Sequence, residues 1–159
     1  MTSLYLSLGS NLGDKKANLR RAVALLEERL QHPCSALSSF LETAPWGYES
    51  PNSFVNACVR FDLDRPATRS EARQILRLCK EVENGMGRVQ RLPGEGYKDR
   101  IIDIDILLFG DLKMRTKTLS IPHPLMGERD FVQIPLREIL LPGPELQVGD
   151  HAVKTGVGV

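Results

Sequence analysis

Two aspartates separated by a single residue are the side chains in this sequence best suited to chemistry. Asp103 and Asp105 interrupt a hydrophobic run over residues 101–109, which reads IIDIDILLF. Side chains alternate across a strand, so both carboxylates would leave the same face with their α carbons roughly 7 Å apart. Magnesium prefers hard oxygen ligands and often completes its shell with phosphate oxygens. The pair therefore predicts a magnesium–phosphate site.

The same alternation assigns the other residues of the run to two faces. The face predicted to pack into the core carries Ile102, Ile104, Ile106 and Leu108. The opposite face carries Ile101, Asp103, Asp105 and Leu107. Aspartate is disfavoured in strands, but a solvated face of an antiparallel sheet commonly carries polar residues. From the pattern alone, a solvated face explains the aspartates as well as a metal site does.

Composition limits the classes of protein to consider. The chain has 159 residues, 42% hydrophobic and 26% charged, which fits one ordinary globular domain. Its net charge of +1 gives no strong attraction to nucleic acid or membrane. Residues 1–8 resemble a strand rather than a signal peptide, and no apolar run is long enough to span a membrane. Three cysteines without a Cys-x-x-Cys pair favour the reducing cytoplasm.

Hydrophobic periodicity gives the elements that would position the aspartates. Strands are predicted over residues 1–8, 35–42, 54–63 and 100–109, with a possible short strand over 117–122. Helices are predicted over residues 14–30 and from Thr68 or Ser70 to about Glu83. The order strand–helix–strand–strand–helix–strand predicts an α+β fold with a ferredoxin-like antiparallel sheet covered by helices. We expect one domain over residues 1–141 and a loosely packed tail over 142–159.

Five segments, taken in order, resemble the family of 6-hydroxymethyl-7,8-dihydropterin pyrophosphokinases. They are residues 8–13 (LGSNLG), 42–47 (ETAPWG), 54–57 (FVNA), 83–110, and 121–136 with its Pro-His-Pro sequence. The most specific is residues 100–110, RIIDIDILLFG, and the resemblance runs from Leu4 to about Ile139. It implies transfer of pyrophosphate from ATP to the hydroxymethyl group of the pterin, releasing AMP, in folate biosynthesis. It also implies two magnesium ions and small-molecule partners.

The resemblance further implies roles for individual residues. Asp103 and Asp105 would hold both metal ions, and together with Arg88 and Arg100 they would form the catalytic set. The residues implied in ATP binding are Glu83, Arg88, Arg100, Ile104, His123 and Arg129. The residues implied in pterin binding are Thr43, Ala44, Trp46, Phe54, Asn56 and Phe131. We expect no nucleic-acid or membrane partner and a monomer in the cytoplasm.

Taken alone, most of these residues also have an ordinary interpretation. An arginine is typically exposed, a strand phenylalanine is typically in the core, and Glu83 alone would be an exposed residue at a helix end. His123, between two prolines, could simply order a loop. Asn56 is harder to dismiss, because an amide within an apolar strand must find hydrogen-bond partners.

Other functions stay open at this stage. Residues 9–13 (GSNLG) lack the Gly-Lys-Ser/Thr ending of a phosphate-binding P-loop. The resemblance implies that they form a structural turn beside the pterin pocket, and we assign them no catalytic role. A two-metal nuclease or phosphohydrolase would share the aspartate pair but would not need Phe54, Asn56 and Phe131. A ferredoxin-like module binding RNA would need a basic face with exposed aromatics. A regulatory module would bind a small molecule without turnover.

Overall fold

The computed structural model describes residues 1–43, 53–87 and 100–142, together with the backbone of 146–148 and 151–153. A five-stranded antiparallel sheet forms its centre. Its strands are β1 (Thr2–Ser10), β2 (Ala36–Leu37), β3 (Leu41–Thr43), β4 (Phe54–Leu63) and β5 (Asp103–Phe109). Strand β1 lies between β4 and β5, while β2 and β3 both pair with the outer edge of β4. The predicted α+β, ferredoxin-like fold is confirmed.

Two helices, α1 (Lys15–Leu30) and α2 (Arg69–Gly85), cover one face of this sheet. Each begins at a side chain that accepts a hydrogen bond from a backbone N–H of the first turn. Asp14 accepts from Ala17, and Thr68 accepts from Glu71, both at 3.2 Å. Both helices were predicted, because their apolar residues recur at three- and four-residue steps and pack as one stripe against the sheet.

A third helix, α3 (Asp130–Ile139), packs against the opposite face and follows a 3-10 turn at Met126–Glu128. No helix was predicted there, and the segment contains Pro135, a residue that usually ends a helix. Tertiary packing outweighs that signal. The buried residues Val132, Leu136 and Ile139 recur at helical spacing and join a second apolar cluster.

Strand β5 contains a bulge that corrects the predicted assignment of faces. Its register against β1 shifts by one residue between Ile106 and Leu108, leaving Leu107 as an extra residue. Ile102, Ile104 and Ile106 pack beneath α1 and α2 as predicted. The prediction for Leu108 is wrong, because beyond the bulge Leu108 lies with Leu107 in the cluster beneath α3. Phe109, which follows Leu108, packs instead on the face covered by α1 and α2.

Other boundaries differ by a few residues. The strand predicted over 35–42 is split at Ser38, whose backbone N–H donates to the Cys58 carbonyl while its hydroxyl accepts from the Cys58 N–H, both at 2.9 Å. The Ser38 hydroxyl thus takes the place of the main-chain carbonyl that would normally accept from the Cys58 N–H. Strand β1 continues through Ser10, β5 begins only at Asp103, and the segment over 117–122 contributes Ser120–Ile121 to a hairpin with Met114–Arg115.

Beyond residue 142 the described backbone forms a separate hairpin of Leu146–Val148 with His151–Val153. The domain boundary and the loose packing of residues 142–159 stay predictions. Among the described residues, no helix is both long and apolar enough to cross a membrane.

Candidate active site

One row of residues across three strands brings the two predicted halves of the site together. Gly9 of β1 pairs with Asn56 of β4 on one side and with Asp103 of β5 on the other. Residues opposite each other in antiparallel strands point to the same face. With neighbouring strands about 4.8 Å apart, the α carbons of Asn56 and Asp103 lie about 10 Å apart. The sheet therefore presents an amide and a carboxylate on one surface, separated by a glycine.

The aspartates lie on the face away from α1 and α2, as predicted. An Arg100 guanidinium nitrogen lies 3.2 Å from an Asp103 carboxylate oxygen, and the Asp103 side chain is 28% exposed. Burial, followed by the charge of Asp103, raises the pKa of Asp105 to about 7, although Arg129 opposes this. Two crowded carboxylates strongly favour a bound proton or cation, and their hard oxygen atoms suit magnesium.

The structure buries Glu83, which does not fit the exposed helix-end interpretation. One carboxylate oxygen accepts a hydrogen bond from the Ile104 backbone N–H at 2.8 Å, and the other lies 3.4 Å from the Lys80 ammonium group. Helix α2 therefore ends against β5, directly beside the aspartates. The predicted nucleotide contacts of Glu83 and Ile104 stay predictions, and in this structure the Ile104 N–H is bonded to Glu83.

His123 is fixed beside β5 in its neutral form. Its backbone N–H donates to the Leu107 carbonyl at 3.0 Å, and its Nδ1 accepts from the Leu125 N–H at 3.2 Å. Burial and the charge of Arg129 lower the pKa of His123 to about 4. With Nδ1 accepting, the ring proton is assigned to Nε2, which makes Nε2 a hydrogen-bond donor near neutral pH.

The start of α3 carries two further predicted residues. The Arg129 guanidinium lies 5.6 Å from the centre of the Phe131 ring, a cation–π arrangement. Because the Arg129 charge lowers the pKa of both Asp105 and His123, it acts on the same region as the aspartates. Phe131 packs partly buried against the apolar cluster beneath α3.

Asn56 occupies a confined site between β1 and β3. It is 4% exposed, and its Nδ2 donates to the Thr43 hydroxyl at 3.2 Å. Phe54 pairs with Thr43 in the β3–β4 register. A Cβ on Gly9 would lie 2.8 Å from the Asn56 amide oxygen and 3.6 Å from the Phe54 ring. Gly9 therefore leaves the space in which this amide and ring sit.

Three of the predicted site residues, Ala44, Trp46 and Arg88, lie outside the described residues. Across the described part of the chain, no group of three or more His, Cys, Asp or Glu side chains is arranged to hold a metal ion. The fit to magnesium therefore rests on the two carboxylates, with phosphate oxygens supplying further ligands.

Comparison with known proteins identifies the family. The family model for 7,8-dihydro-6-hydroxymethylpterin-pyrophosphokinase (HPPK) matches residues 5–141. The chain belongs to the HPPK family. The predicted family and enzyme class are thus confirmed, and ATP is a co-substrate in this family. The roles assigned to single residues stay predictions.

Relatives in several bacteria carry the name 2-amino-4-hydroxy-6-hydroxymethyldihydropteridine pyrophosphokinase. The protein from Porphyromonas gingivalis is 44% identical over 142 residues, which cover 87% of this chain and 91% of the relative. The Bacillus subtilis protein is 39% identical over 135 residues, covering 85% and 76%. The Aquifex aeolicus protein is 37% identical over 139 residues, covering 87% and 81%. The similarity therefore spans most of each chain.

The turn over residues 9–13 was expected to lie beside the pterin pocket, but no contact with the candidate site was assigned to Gly9 itself. The turn received no catalytic role because it lacks the P-loop pattern. A glycine near the end of a strand often marks the close approach of another group. That signal was available in the sequence, but the approaching group, Asn56, is known only from the register of β1 and β4.

Proposed function

We propose that this chain transfers the pyrophosphoryl group of ATP to the hydroxymethyl group of 6-hydroxymethyl-7,8-dihydropterin, releasing AMP, in folate biosynthesis. One observation carries the proposal: the row of Asn56, Gly9 and Asp103 puts a heterocycle-reading amide and a metal-type carboxylate on the same face of the sheet. Membership of the HPPK family supports the same reaction.

The pterin binds at the Asn56 end of this row. A side-chain amide offers both a donor and an acceptor, which suits the amide-like edge of a pterin. Thr43 holds the Asn56 Nδ2 and so fixes the orientation of the amide. Phe54 and Phe131 supply aromatic surfaces for the flat ring, and Ala44 and Trp46 contribute through backbone groups.

The polyphosphate of ATP binds at the aspartate end. Asp103 and Asp105 would hold two magnesium ions, which would neutralise phosphate charge and favour ionisation of the attacking hydroxyl group. Arg88 and Arg100 donate to phosphate oxygens through their planar guanidinium groups, and Arg129 adds positive charge. His123 donates from Nε2 to the α-phosphate, while Glu83 and Ile104 line the nucleotide side.

The reaction itself is a displacement at phosphorus. The pterin hydroxymethyl oxygen forms a bond to the β-phosphorus of ATP, and the bond from that phosphorus to the oxygen bridging the α-phosphate breaks. AMP leaves with the bridging oxygen, and the hydroxyl proton is lost to solvent. Positioning and charge neutralisation supply most of the rate enhancement in such transfers.

We further propose that the enzyme works in the cytoplasm. Cys34, Cys58 and Cys79 carry free thiols, which suits a reducing cytoplasm where ATP is abundant. We also propose that the chain acts as a monomer.

A product assay tests the reaction. The purified chain is incubated with ATP, magnesium chloride and the hydroxymethylpterin, and nucleotides and pterins are quantified by chromatography. AMP and pterin pyrophosphate should form in equal amounts. AMP with free pyrophosphate in the absence of pterin would indicate a hydrolase, and ADP would indicate ordinary phosphoryl transfer. Either result, or no turnover, overturns the proposal.

Substitution of the aspartates tests the metal assignment. Asp103→Asn and Asp105→Asn should each lower kcat/KM by about a thousandfold, because the site loses a charged ligand where transition-state charge must be neutralised. Asp111→Asn is a matched control, since Asp111 is exposed in the turn after β5. An Asp103 or Asp105 variant with the turnover of the Asp111 variant would show that the metal assignment is wrong.

A further inference from the structure

Asn11, in the turn from β1 to α1, has no role in the proposed reaction. The turn is built by another residue, Asn18, whose Nδ2 donates to the Leu12 carbonyl at 2.8 Å and to the Ser10 hydroxyl at 3.2 Å. Asn11 is nevertheless fully buried, with 0% of its surface exposed. A buried side-chain amide is costly unless it is hydrogen-bonded, so its partners indicate its use.

Asn11 makes two hydrogen bonds to the main chain of a single distant residue. Its backbone N–H donates to the Arg100 carbonyl at 3.0 Å. Its side-chain Oδ1 accepts from the Arg100 backbone N–H at 2.6 Å. Both main-chain polar groups of Arg100 are therefore held by one residue 89 positions earlier in the chain. Two bonds to one peptide segment fix its orientation as well as its place.

The residue held in this way reaches the aspartates. The Arg100 side chain is only 11% exposed, and its guanidinium lies 3.2 Å from Asp103. A contact path therefore runs from the buried Asn11 amide, through the Arg100 backbone, to the Arg100 guanidinium beside Asp103.

We propose that Asn11 is a positioning residue that fixes the Arg100 backbone so that the guanidinium meets the ATP phosphates beside Asp103. This inference rests on the proposed pyrophosphoryl transfer. Catalysis by positioning is sensitive to small displacements, since an arginine moved by about 1 Å can cost about a hundredfold in rate. Asparagine suits the task because its oxygen reaches the Arg100 N–H without placing a charge in a buried position.

Amide hydrogen exchange tests the contact independently of activity. In the wild-type chain the Arg100 amide should exchange slowly, and in Asn11→Ala it should exchange at least about tenfold faster because its acceptor is lost. Asn18→Ala is the matched control, since it disturbs the same turn without touching Arg100. An unchanged Arg100 rate in Asn11→Ala, or an equal acceleration in Asn18→Ala, overturns the inference.

A double-mutant cycle tests whether Asn11 acts through Arg100. Asn11→Ala should lower kcat by about ten- to a hundredfold, with the KM for pterin within about twofold of wild type. In an Arg100→Ala background the same change should have almost no further effect. Asn11→Asp, which keeps the acceptor oxygen, should recover slow Arg100 exchange. Equal losses of kcat in both backgrounds overturn the inference.

A replacement variant and a readout that does not depend on activity allow the role of Asn11 to be tested in every case. Should Asn11→Ala fail to fold, Asn11→Ser takes its place, because its shorter hydroxyl does not reach the Arg100 N–H. Should the wild-type chain show no pterin-dependent AMP, the proposed function fails, whereas the exchange rates still decide whether Asn11 holds Arg100.

Discussion

At the scale of single residues, Gly9 shows how closely the two halves of the site are joined. It separates Asn56 from Asp103 in the sheet and approaches the Asn56 amide so closely that a Cβ would lie 2.8 Å from its oxygen. That distance is too short for any real Cβ contact, so a side chain at residue 9 must displace the amide. The amide is also tied to Thr43, which limits where it can move.

Gly9→Ala should therefore weaken pterin binding specifically. Loss or misplacement of one buried hydrogen-bonding group costs about 1–3 kcal/mol, which raises the pterin KM by about five- to 150-fold. The KM for ATP should change by less than about threefold, because the phosphate end of the site is untouched. Steady-state kinetics with each substrate varied in turn measures both effects.

Gly85→Ala is the matched control, because a Cβ at residue 85 meets nothing within 4 Å. It should leave both KM values unchanged. A Gly9→Ala enzyme with wild-type pterin KM would mean that the amide moves freely and that Gly9 has no part in the pocket.

At the scale of elements, the C-terminal end of α3 is fastened to the sheet by polar contacts. The Arg60 guanidinium donates to the Ile139 carbonyl at 2.6 Å, and the Tyr5 hydroxyl accepts from the Leu141 N–H at 3.0 Å. In the same turn, the Ser39 hydroxyl donates to the Glu138 carboxylate at 2.7 Å. These contacts hold the helix whose first residues are predicted to meet substrate.

Arg60→Met should loosen α3 and thereby weaken pterin binding. Arg60 is mostly buried and donates to both Ile139 and Asp62, so its loss should reduce the free energy of unfolding by about 2 kcal/mol. The pterin KM should rise as well, because Phe131 is carried by α3. Urea denaturation and steady-state kinetics measure the two effects.

Arg29→Met provides the comparison. Arg29 pairs with Glu81 at the surface, where both side chains are nearly half exposed, so this change should cost less than about 1 kcal/mol. Equal losses of stability in the two variants would contradict the anchoring role of Arg60. A destabilised Arg60 variant with normal pterin KM would separate α3 packing from substrate binding.

The helices and strands that could be predicted are those whose capping residues and apolar spacing match the way they pack in the folded chain. Helices α1 and α2 have both a capping residue and a regular apolar stripe, so their limits follow from the sequence to within about two residues. Helix α3 was not predicted, because Pro135 opposes a helix although Val132, Leu136 and Ile139 recur at helical spacing. The β5 bulge was equally hidden, because a run of apolar residues reads the same with or without an extra residue.

At the scale of the whole molecule, the candidate site lowers the stability of the fold that carries it. The partly buried Asp105 carboxyl binds a proton more tightly in the folded chain, where its pKa is about 7, than in the unfolded chain, where it is near 3.8. Its contribution to stability is therefore complete below about pH 4 and is lost as the pH rises through 7. A bound divalent cation restores that stability, because it neutralises the same charge.

Without magnesium, Asp105→Asn should be more stable than wild type, and more so at pH 8 than at pH 5.5. The difference between the two pH values should be about 2 kcal/mol, because only the wild-type chain loses the Asp105 contribution over that range. Urea denaturation in EDTA measures the free energy of unfolding of both chains at each pH. Other groups that titrate, such as His123, are present in both chains, so their contributions cancel in the difference.

Adding magnesium at pH 8 should stabilise the wild-type chain and leave Asp105→Asn nearly unchanged. If Asp105→Asn were more stable than wild type by the same free energy of unfolding at pH 5.5 and pH 8, the raised pKa of Asp105 would be contradicted. Equal stabilisation of both chains by magnesium would place the cation elsewhere.

The candidate site was predictable in its chemistry but not in its geometry. Types and spacing pointed to Asp103, Asp105 and Asn56, and the family resemblance added the arginines and His123. Neither source could give the burial of Glu83 or the two bonds from Asn11 to Arg100. These depend on contacts between residues tens of positions apart, which only the folded chain brings together.

The bulge at Leu107 divides β5 into two segments that can change independently. Before it, the strand carries the aspartates in register with Gly9 and Ser7; after it, the strand serves only to pack Leu108 and Phe109. Because the extra residue absorbs a shift of register, replacements in the packing segment need not move the carboxylates. Replacements of similar volume at the hydrophobic end of β5 should therefore be accommodated without moving its charged beginning.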